Sequence, residues 1–364
     1  MAGKEKLYVK VYNDIISKIK NEELKVGDRL PTEFEMTKIY GVSRITVAHA
    51  LKMLTEINLI YRVKKMGTFV NGKVNYKNTQ LIIPIILPFD EDFNGITEGA
   101  QNLALLNNTF TPIYNTRNNI KRERDILSNI LEMNADGVIT YPCTTLNNID
   151  LYARLRARKI PVVCIDRNLD GIDTPLVTSN NEQGMRDVVG ELAFQGHRRI
   201  AFFSISDNMA SAEIERFKGY CTGMINNGLD ILPQYLYRAE DLHKREHDLT
   251  MPRQNQLFHR HVSHFVSECL LGPEPPTAVC CINDVSANEL YEQAVRAGIR
   301  VPGDLMITGF DAASFTRHLF PGFVTVKQDF RLIGKTALGL MLDLLNGQKT
   351  EKVIRVGVRL ITTE

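Results

Sequence analysis

Long apolar runs are missing from this chain of 364 residues. A membrane-spanning helix needs about 18 or more consecutive apolar residues. The best candidate, LIIPIILPF (81–89), is too short and carries Pro84 and Pro88. The N-terminal MAGKEKLYVK lacks the apolar core of a signal peptide, so a cytoplasmic protein with no membrane partner is expected. Cysteine is sparse too. Cys143, Cys164, Cys221, Cys269, Cys280 and Cys281 form no C-x-x-C pair, and several lie in apolar runs such as PVVCI and AVCCI. Buried, reduced thiols are the favoured reading over metal or disulfide roles.

Catalytic signatures are scarce as well. No G-x-G-x-x-G follows a strand-like run, and no G-x-S-x-G elbow occurs. IGKTAL (333–338) imitates the end of a phosphate-binding loop, but Asp329 stands where the full motif needs glycine. HRHVSH (259–264) could bring His259, His261 and His264 near a metal, yet no acidic ligand is close in sequence, and a surface helix is the simpler reading. No catalytic residue, cofactor or metal is therefore expected, and the chain reads as a non-enzyme.

What is present is a globular composition, 44% hydrophobic and 24% charged, at a length that calls for two or three domains. The net charge of +2 hides an asymmetry. Residues 1–77 hold 15 basic and 8 acidic side chains, whereas the rest hold 29 and 34. A basic head on a mildly acidic body fits a polyanion partner for the head. Charge alone fits a solvated helical surface equally well.

Within the head, YVKVYNDIISKIKNEEL (8–24) places Val9, Val11, Tyr12, Ile15, Ile16 and Ile19 near helical spacing. Thr32, followed by Glu35, makes a capping box for a second helix that carries Phe34, Met36 and Ile39 and stops at Gly41. Ser43 then caps a third helix with Val47, Ala50, Leu51 and Leu54 on its buried side. Two capped helices around a glycine turn are a helix-turn-helix layout. LIYRVKKMGTFVNG (59–72) follows as a hairpin wing whose basic tip ends at Gly67.

These residues resemble the GntR-type winged helix-turn-helix repressors through GDRLPTE (27–33), YGVSRITV (40–47), Ala50-Leu51, Leu54 and GTFV (67–70). The resemblance implies that the third helix enters the major groove of double-stranded operator DNA. Thr32, Ser43, Arg44, Thr46 and His49 would then supply contacts, with Lys64 and Lys65 of the wing on phosphates or the minor groove. The chain departs from that pattern at Phe34 and Ala48, where the family often has arginine. His49 is a substitute contact or a solvated helix residue.

From Leu81 onward, short apolar runs alternate with helical stretches. Strand candidates are 81–87, 110–115, 137–142, 161–166, 199–204, 278–283 and 305–311. That alternation predicts a parallel α/β sheet, with ligands beyond the carboxyl ends of its strands. At or after those ends stand Phe89, Asp90, Phe93, Tyr141, Asp166, Arg167, Asn283, Asp284 and Asp311. Carboxylates, amides and aromatic faces suit a small polyhydroxylated molecule. The same residues could instead only cap the helices that follow.

IPVVCIDR (160–167), ELAFQGHRRIAFFS (191–204), RFKGY (216–220), the long segment 276–312 and VTVKQDFRLIGKTALGLMLDLL (324–345) resemble the LacI/GalR-type regulatory domain, which is similar to periplasmic binding proteins. The fold class implied is α/β: a winged helix-turn-helix head (1–72), a linker (73–79), and a two-lobed domain of parallel sheets (80–364). Lobe one would take about 80–168 and 329–347, and lobe two 169–327 and 352–364, joined by three crossovers. By this resemblance Arg216 would clamp sugar hydroxyls. Asn283 and Asp311 would bind ring hydroxyls, and Asp166 would reach in from lobe one. Gln328 would sit at a crossover, and Phe89 or Phe93 would stack on the sugar.

A sugar-responsive transcriptional regulator is therefore expected, a repressor acting as a homodimer and released by a monosaccharide such as arabinose or fucose. A solute-binding protein for transport or chemoreception would account for residues 80–364 but not for the winged head.

Overall fold

The computed structural model describes residues 7–20, 23–56, 59–63, 66–71, 80–88, 94–205, 211–238 and 251–363. Lys64, Lys65, Phe89, Asp90 and Phe93 lie outside the described residues. By their contacts the residues form two units, one of 1–83 with 101–112 and one of 84–100 with 113–364.

The first unit opens with α1 (Leu7–Lys20), α2 (Glu33–Tyr40) and α3 (Arg44–Glu56). Thr32 and Glu35 exchange side-chain and backbone hydrogen bonds at the start of α2, and Gly41 closes it in the left-handed conformation with φ 64°. The Ser43 hydroxyl accepts the Thr46 amide at 3.2 Å at the entry to α3. Val11, Ile15, Met36, Val47, Ala50, Leu51 and Leu54 meet in one core. Of the apolar residues that α2 carries, Met36 is buried while Phe34 and Ile39 are exposed. The wing pairs β1 (Ile60–Val63) with β2 (Gly67–Val70), Val63 opposite Gly67. The GDRL segment joins it as a third strip: the Leu30 amide donates to Thr68, and that of Val70 to Asp28.

Two runs read as single strands are each split by a proline. Pro84 separates β3 (Leu81–Ile82) from β4 (Ile85–Leu87). Beyond α4 (Asn94–Ala104), Pro112 separates β5 (Thr109–Phe110) from β6 (Ile113–Asn115). Proline has no N–H to give a ladder. β3 pairs only with β5, and β4 only with main-sheet strands such as β6. The β3–β5 ladder belongs to the first unit, not to the cleft domain drawn from residue 80.

The second unit continues with α5 (Ile120–Glu132), β7 (Val138–Thr140), α6 (Ile149–Ala157), β8 (Val162–Ile165) and β9 (Leu176–Ser179). Then come α7 (Asn181–Phe194), β10 (Ile200–Ser204), α8 (Ser211–Asn226), β11 (Leu236–Arg238), α9 (Met251–Phe265) and β12 (Ala278–Cys281). α10 (Asp284–Arg296), β13 (Met306–Thr308), β14 (Val324–Lys327), α11 (Phe330–Leu345), β15 (Val353–Val356) and β16 (Arg359–Thr362) complete it. One sheet runs β15-β9-β8-β7-β4-β6, all parallel; the other runs β11-β10-β12-β13-β14-β16, with only β16 antiparallel. Strands such as β8, β10 and β12, inside the two sheets, are buried on both faces, as covered parallel sheets require.

The chain crosses between sheets three times, from β9 to α7, from β14 to α11 and from β15 to β16. This corrects the lobe limits drawn from sequence. β9 pairs with β8 in the first sheet, so lobe one runs on to Ser179, and residues 352–364 divide between the two sheets. Gly334, in the segment that imitates a phosphate loop, is a packing residue: a Cβ there would stand 1.9 Å from the Ile96 carbonyl oxygen of α4. The histidine run is not merely a surface. His261 is buried with Nδ1 2.9 Å from the Tyr237 hydroxyl, and His259 pairs with Glu289 at 2.6 Å. Cys143, Cys164, Cys280 and Cys281 are buried, and all six cysteines are free. Burial pushes the Cys280 thiol up to about 12. Among the described residues, no helix is long and apolar enough to cross a membrane, and no cluster of three potential metal ligands occurs.

Candidate functional site

Strand ends of the two sheets open onto one cavity of about 600 Å³. Tyr141 follows β7 and Asp166-Arg167 follow β8; Asn283 follows β12, Asp311 lies beyond β13, and Gln328 follows β14 at a crossover. Arg216 enters from α8. All seven described residues expected in the cleft therefore line the same space.

Arg216 is buried and held on every side. Its Nε–H donates to Asn181 Oδ1 at 2.9 Å and Nη1 to the Ile282 carbonyl at 2.8 Å, while Nη2 stands 3.3 Å from Asp311 Oδ1. The guanidinium carbon lies 3.8 Å from the centre of the Phe310 ring. A fork fixed this way presents one orientation to a ligand. Asp311 Oδ1 also accepts from Gln328 Nε2 at 2.6 Å, and Gln328 Oε1 accepts from Ser179. One carboxylate thus ties lobe two to residues at two of the three crossings. Asp311 itself has φ 119°, a conformation stabilised by its amide donating to the Val326 carbonyl at 2.9 Å.

On the opposite wall the Tyr141 hydroxyl donates to Asp166 Oδ2 at 2.6 Å, and burial foremost holds that phenol well above its ordinary pKa. The Arg167 guanidinium lies 5.2 Å from the Tyr141 ring centre, and its Nη1 donates to the Cys143 carbonyl at 2.5 Å. Arg167 Nε is buried with no hydrogen-bond partner. Asn283 fills both of its alternative roles: it lines the cavity, and its Oδ1 caps α10 by accepting the Ser286 amide at 2.8 Å.

Asp284, noted at a strand end but assigned no role, is the residue most underrated by sequence reasoning. Fully buried, it accepts from Thr325 Oγ1 and from the Ala313 amide, each at 2.7 Å. Burial and then the neighbouring Asp311 push its carboxyl up to about 7. The folded state thus binds a proton that the unfolded chain releases near the ordinary aspartate pKa of 3.8. Stability from this group is full below that value and is lost as pH rises towards about 7. Melting midpoints compared at pH 5 and pH 8 should show a fall that is shallower in Asp284→Asn; equal slopes would contradict the assignment. Glu213, Lys327 and Phe330 also line the cavity and were missed. Lys327 and Phe330 flank Gln328 closely, whereas Glu213 had no sequence signal beyond lying one turn before Arg216.

In the head, several expected contacts are engaged with one another. The Thr32 hydroxyl serves the capping box, and the Ser43 and Thr46 hydroxyls lie 2.8 Å apart. Arg44 is 80% exposed, yet its Nε–H donates to Glu33 Oε2 at 2.9 Å. Arg62 of the wing donates to the other oxygen of Glu33. The hydrogen bond from Arg44, helped by that from Arg62, outweighs the opposing effect of burial and holds the Glu33 carboxyl below its ordinary pKa. The His49 ring packs 4.4 Å from that of Tyr8 on α1. Phe34 is exposed under the Lys38 ammonium, 4.5 Å from its ring centre. Glu33 and Ile45 were given no role from the sequence, and Arg62 only a place in the basic tip of the wing.

A winged helix-turn-helix unit on a chain whose other unit encloses a polar cleft defines a ligand-responsive transcriptional regulator. Comparison with known proteins is consistent throughout. Residues 7–70 match the model of bacterial regulatory proteins, gntR family, and residues 189–363 match a periplasmic binding protein-like domain. The chain therefore carries a GntR-type DNA-binding domain joined to a periplasmic-binding-protein-like domain. The arabinose metabolism transcriptional repressor of Geobacillus stearothermophilus is 26% identical over 354 residues, covering 95% of this chain and 93% of that protein. Among solved structures, the transcription regulator CcpA of Lactococcus lactis aligns with a TM-score of 0.65 at 17% identity, over 79% of this chain and all of that one. A LacI family regulator from Enterococcus faecium, solved with bound ribose, aligns at 0.60 and 18% identity, over 77% and 96%.

Proposed function

We propose that the protein is a homodimeric repressor of carbohydrate-utilisation genes, released from a pseudo-palindromic operator when a monosaccharide occupies the cleft. The observation that carries this reading is the convergence of Tyr141, Asp166, Arg167, Arg216, Asn283, Asp311 and Gln328 from both sheets on one cavity. Its volume of about 600 Å³ suits a small ligand. Four carboxyl groups (Asp166, Glu213, Asp284 and Asp311) face three cations (Arg167, Arg216 and Lys327), so a neutral polyhydroxylated molecule needs no countercharge. The named arabinose-metabolism relative and the ribose-bound neighbour support a pentose, with a deoxyhexose such as fucose as the next candidate. Occupation would favour closure of the two lobes about their three crossings, and that difference in affinity is what a switch of this kind requires. Arg44 leads the contacts with operator DNA, and a two-fold dimer supplies matched half-sites.

A thermal-shift screen tests this against L-arabinose, D-ribose, D-xylose, L-fucose and neutral hexoses. One sugar should raise the melting midpoint in a dose-dependent way and lower the protein's affinity for operator duplex. No shift across the panel, or a shift without any effect on DNA binding, would refute the proposal.

A further inference from the structure

Ile45, the second residue of α3, is 82% exposed and is the most exposed large apolar side chain of the head's described residues. A single exposed isoleucine is ordinary; its setting is not. Helical spacing puts Ala48 and Lys52 on the same face, three and seven positions on, away from the buried Val47, Ala50, Leu51 and Leu54. The polar side chains nearest to it are occupied within the head. Ser43 bonds Thr46, Arg44 bonds Glu33, and His49 packs on Tyr8. The first turn of α3 therefore offers a groove one branched apolar side chain, with the small Ala48 leaving room beside it.

In the major groove the apolar feature that base pairs present is the 5-methyl group of thymine. We infer that Ile45, with Ala48 beside it, determines operator specificity by packing against thymine 5-methyl groups. This rests on the reading of the head as an operator-binding domain. Isoleucine and alanine in these first turns offer apolar contact to thymine and no hydrogen-bond readout of guanine. Arg44 and the wing then supply affinity that depends little on sequence.

The test uses the full-length protein to select duplexes from a random-sequence library. An enriched duplex is resynthesised with deoxyuridine replacing thymidine at one position at a time, which removes only the methyl group. At one or two positions per half-site, wild-type affinity should fall about fourfold, the fold-change that corresponds to burying one methyl-sized group. That penalty should vanish in Ile45→Ala and persist in part in Ile45→Val, with melting midpoints unchanged because the side chain is exposed. Indifference of the wild type to deoxyuridine at every position would overturn the inference, as would an undiminished penalty in Ile45→Ala. Failure to enrich any duplex would instead strike the operator-binding reading itself, so the two failures are distinct.

Discussion

Arg216→Ala is expected to destabilise the cleft domain by about 3–5 kcal/mol, the cost of leaving buried acceptors unpaired and a void beside an aromatic ring. The side chain holds Asn181, the Ile282 carbonyl and Asp311, and it covers the Phe310 ring. Removing it strands a buried carbonyl and an amide oxygen as well as a carboxylate, and leaves a void against the ring. Urea unfolding followed by circular dichroism measures the change. Arg216→Lys should fall between the two, since an ammonium restores charge but cannot reproduce the fork. A midpoint equal to that of the wild type would mean that the guanidinium is not held as described.

The second large effect is functional. Asp311→Ala should weaken binding of the inducing sugar about 10- to 100-fold, the range for losing a hydrogen bond to a charged group, while operator affinity stays at the wild-type level. The carboxylate is one-third exposed to the cavity and joins Arg216 to Gln328, so its loss disturbs ligand contact and the crossover together. Fluorescence anisotropy of a labelled operator, titrated with sugar, separates the two readouts. A variant that still leaves DNA at the wild-type sugar concentration would remove Asp311 from the site.

Much of this was legible in the sequence where local chemistry decides structure. The capping box at Thr32, the glycine stop at Gly41 and the hairpin around Gly67 each act within a few residues, and all three are present. The polar ends of β7, β8 and β12 were readable because a covered parallel sheet hides its strands and exposes only their ends. Long-range pairing was not. LVTS in β9 has too few apolar residues to announce a strand, and its place beside β8 is what moves the lobe boundary. Asp284 is buried by Thr325 and the Ala313 amide, both far along the chain, and His261 by Tyr237. The commitments of Arg44 and His49 inside the head depend on Glu33 and Tyr8, which no periodicity links to α3.

The Glu33 carboxylate bridging Arg44 and Arg62 changes what an encounter with DNA involves. A phosphate does not meet two idle cations; it must displace an anion already seated between the recognition helix and the wing. Stray duplex, able to offer only backbone charge, gains little from that exchange. A matched operator adds base contacts that stray sequence lacks. A carboxylate held by both arginines therefore sets a cost on any contact made through backbone charge alone.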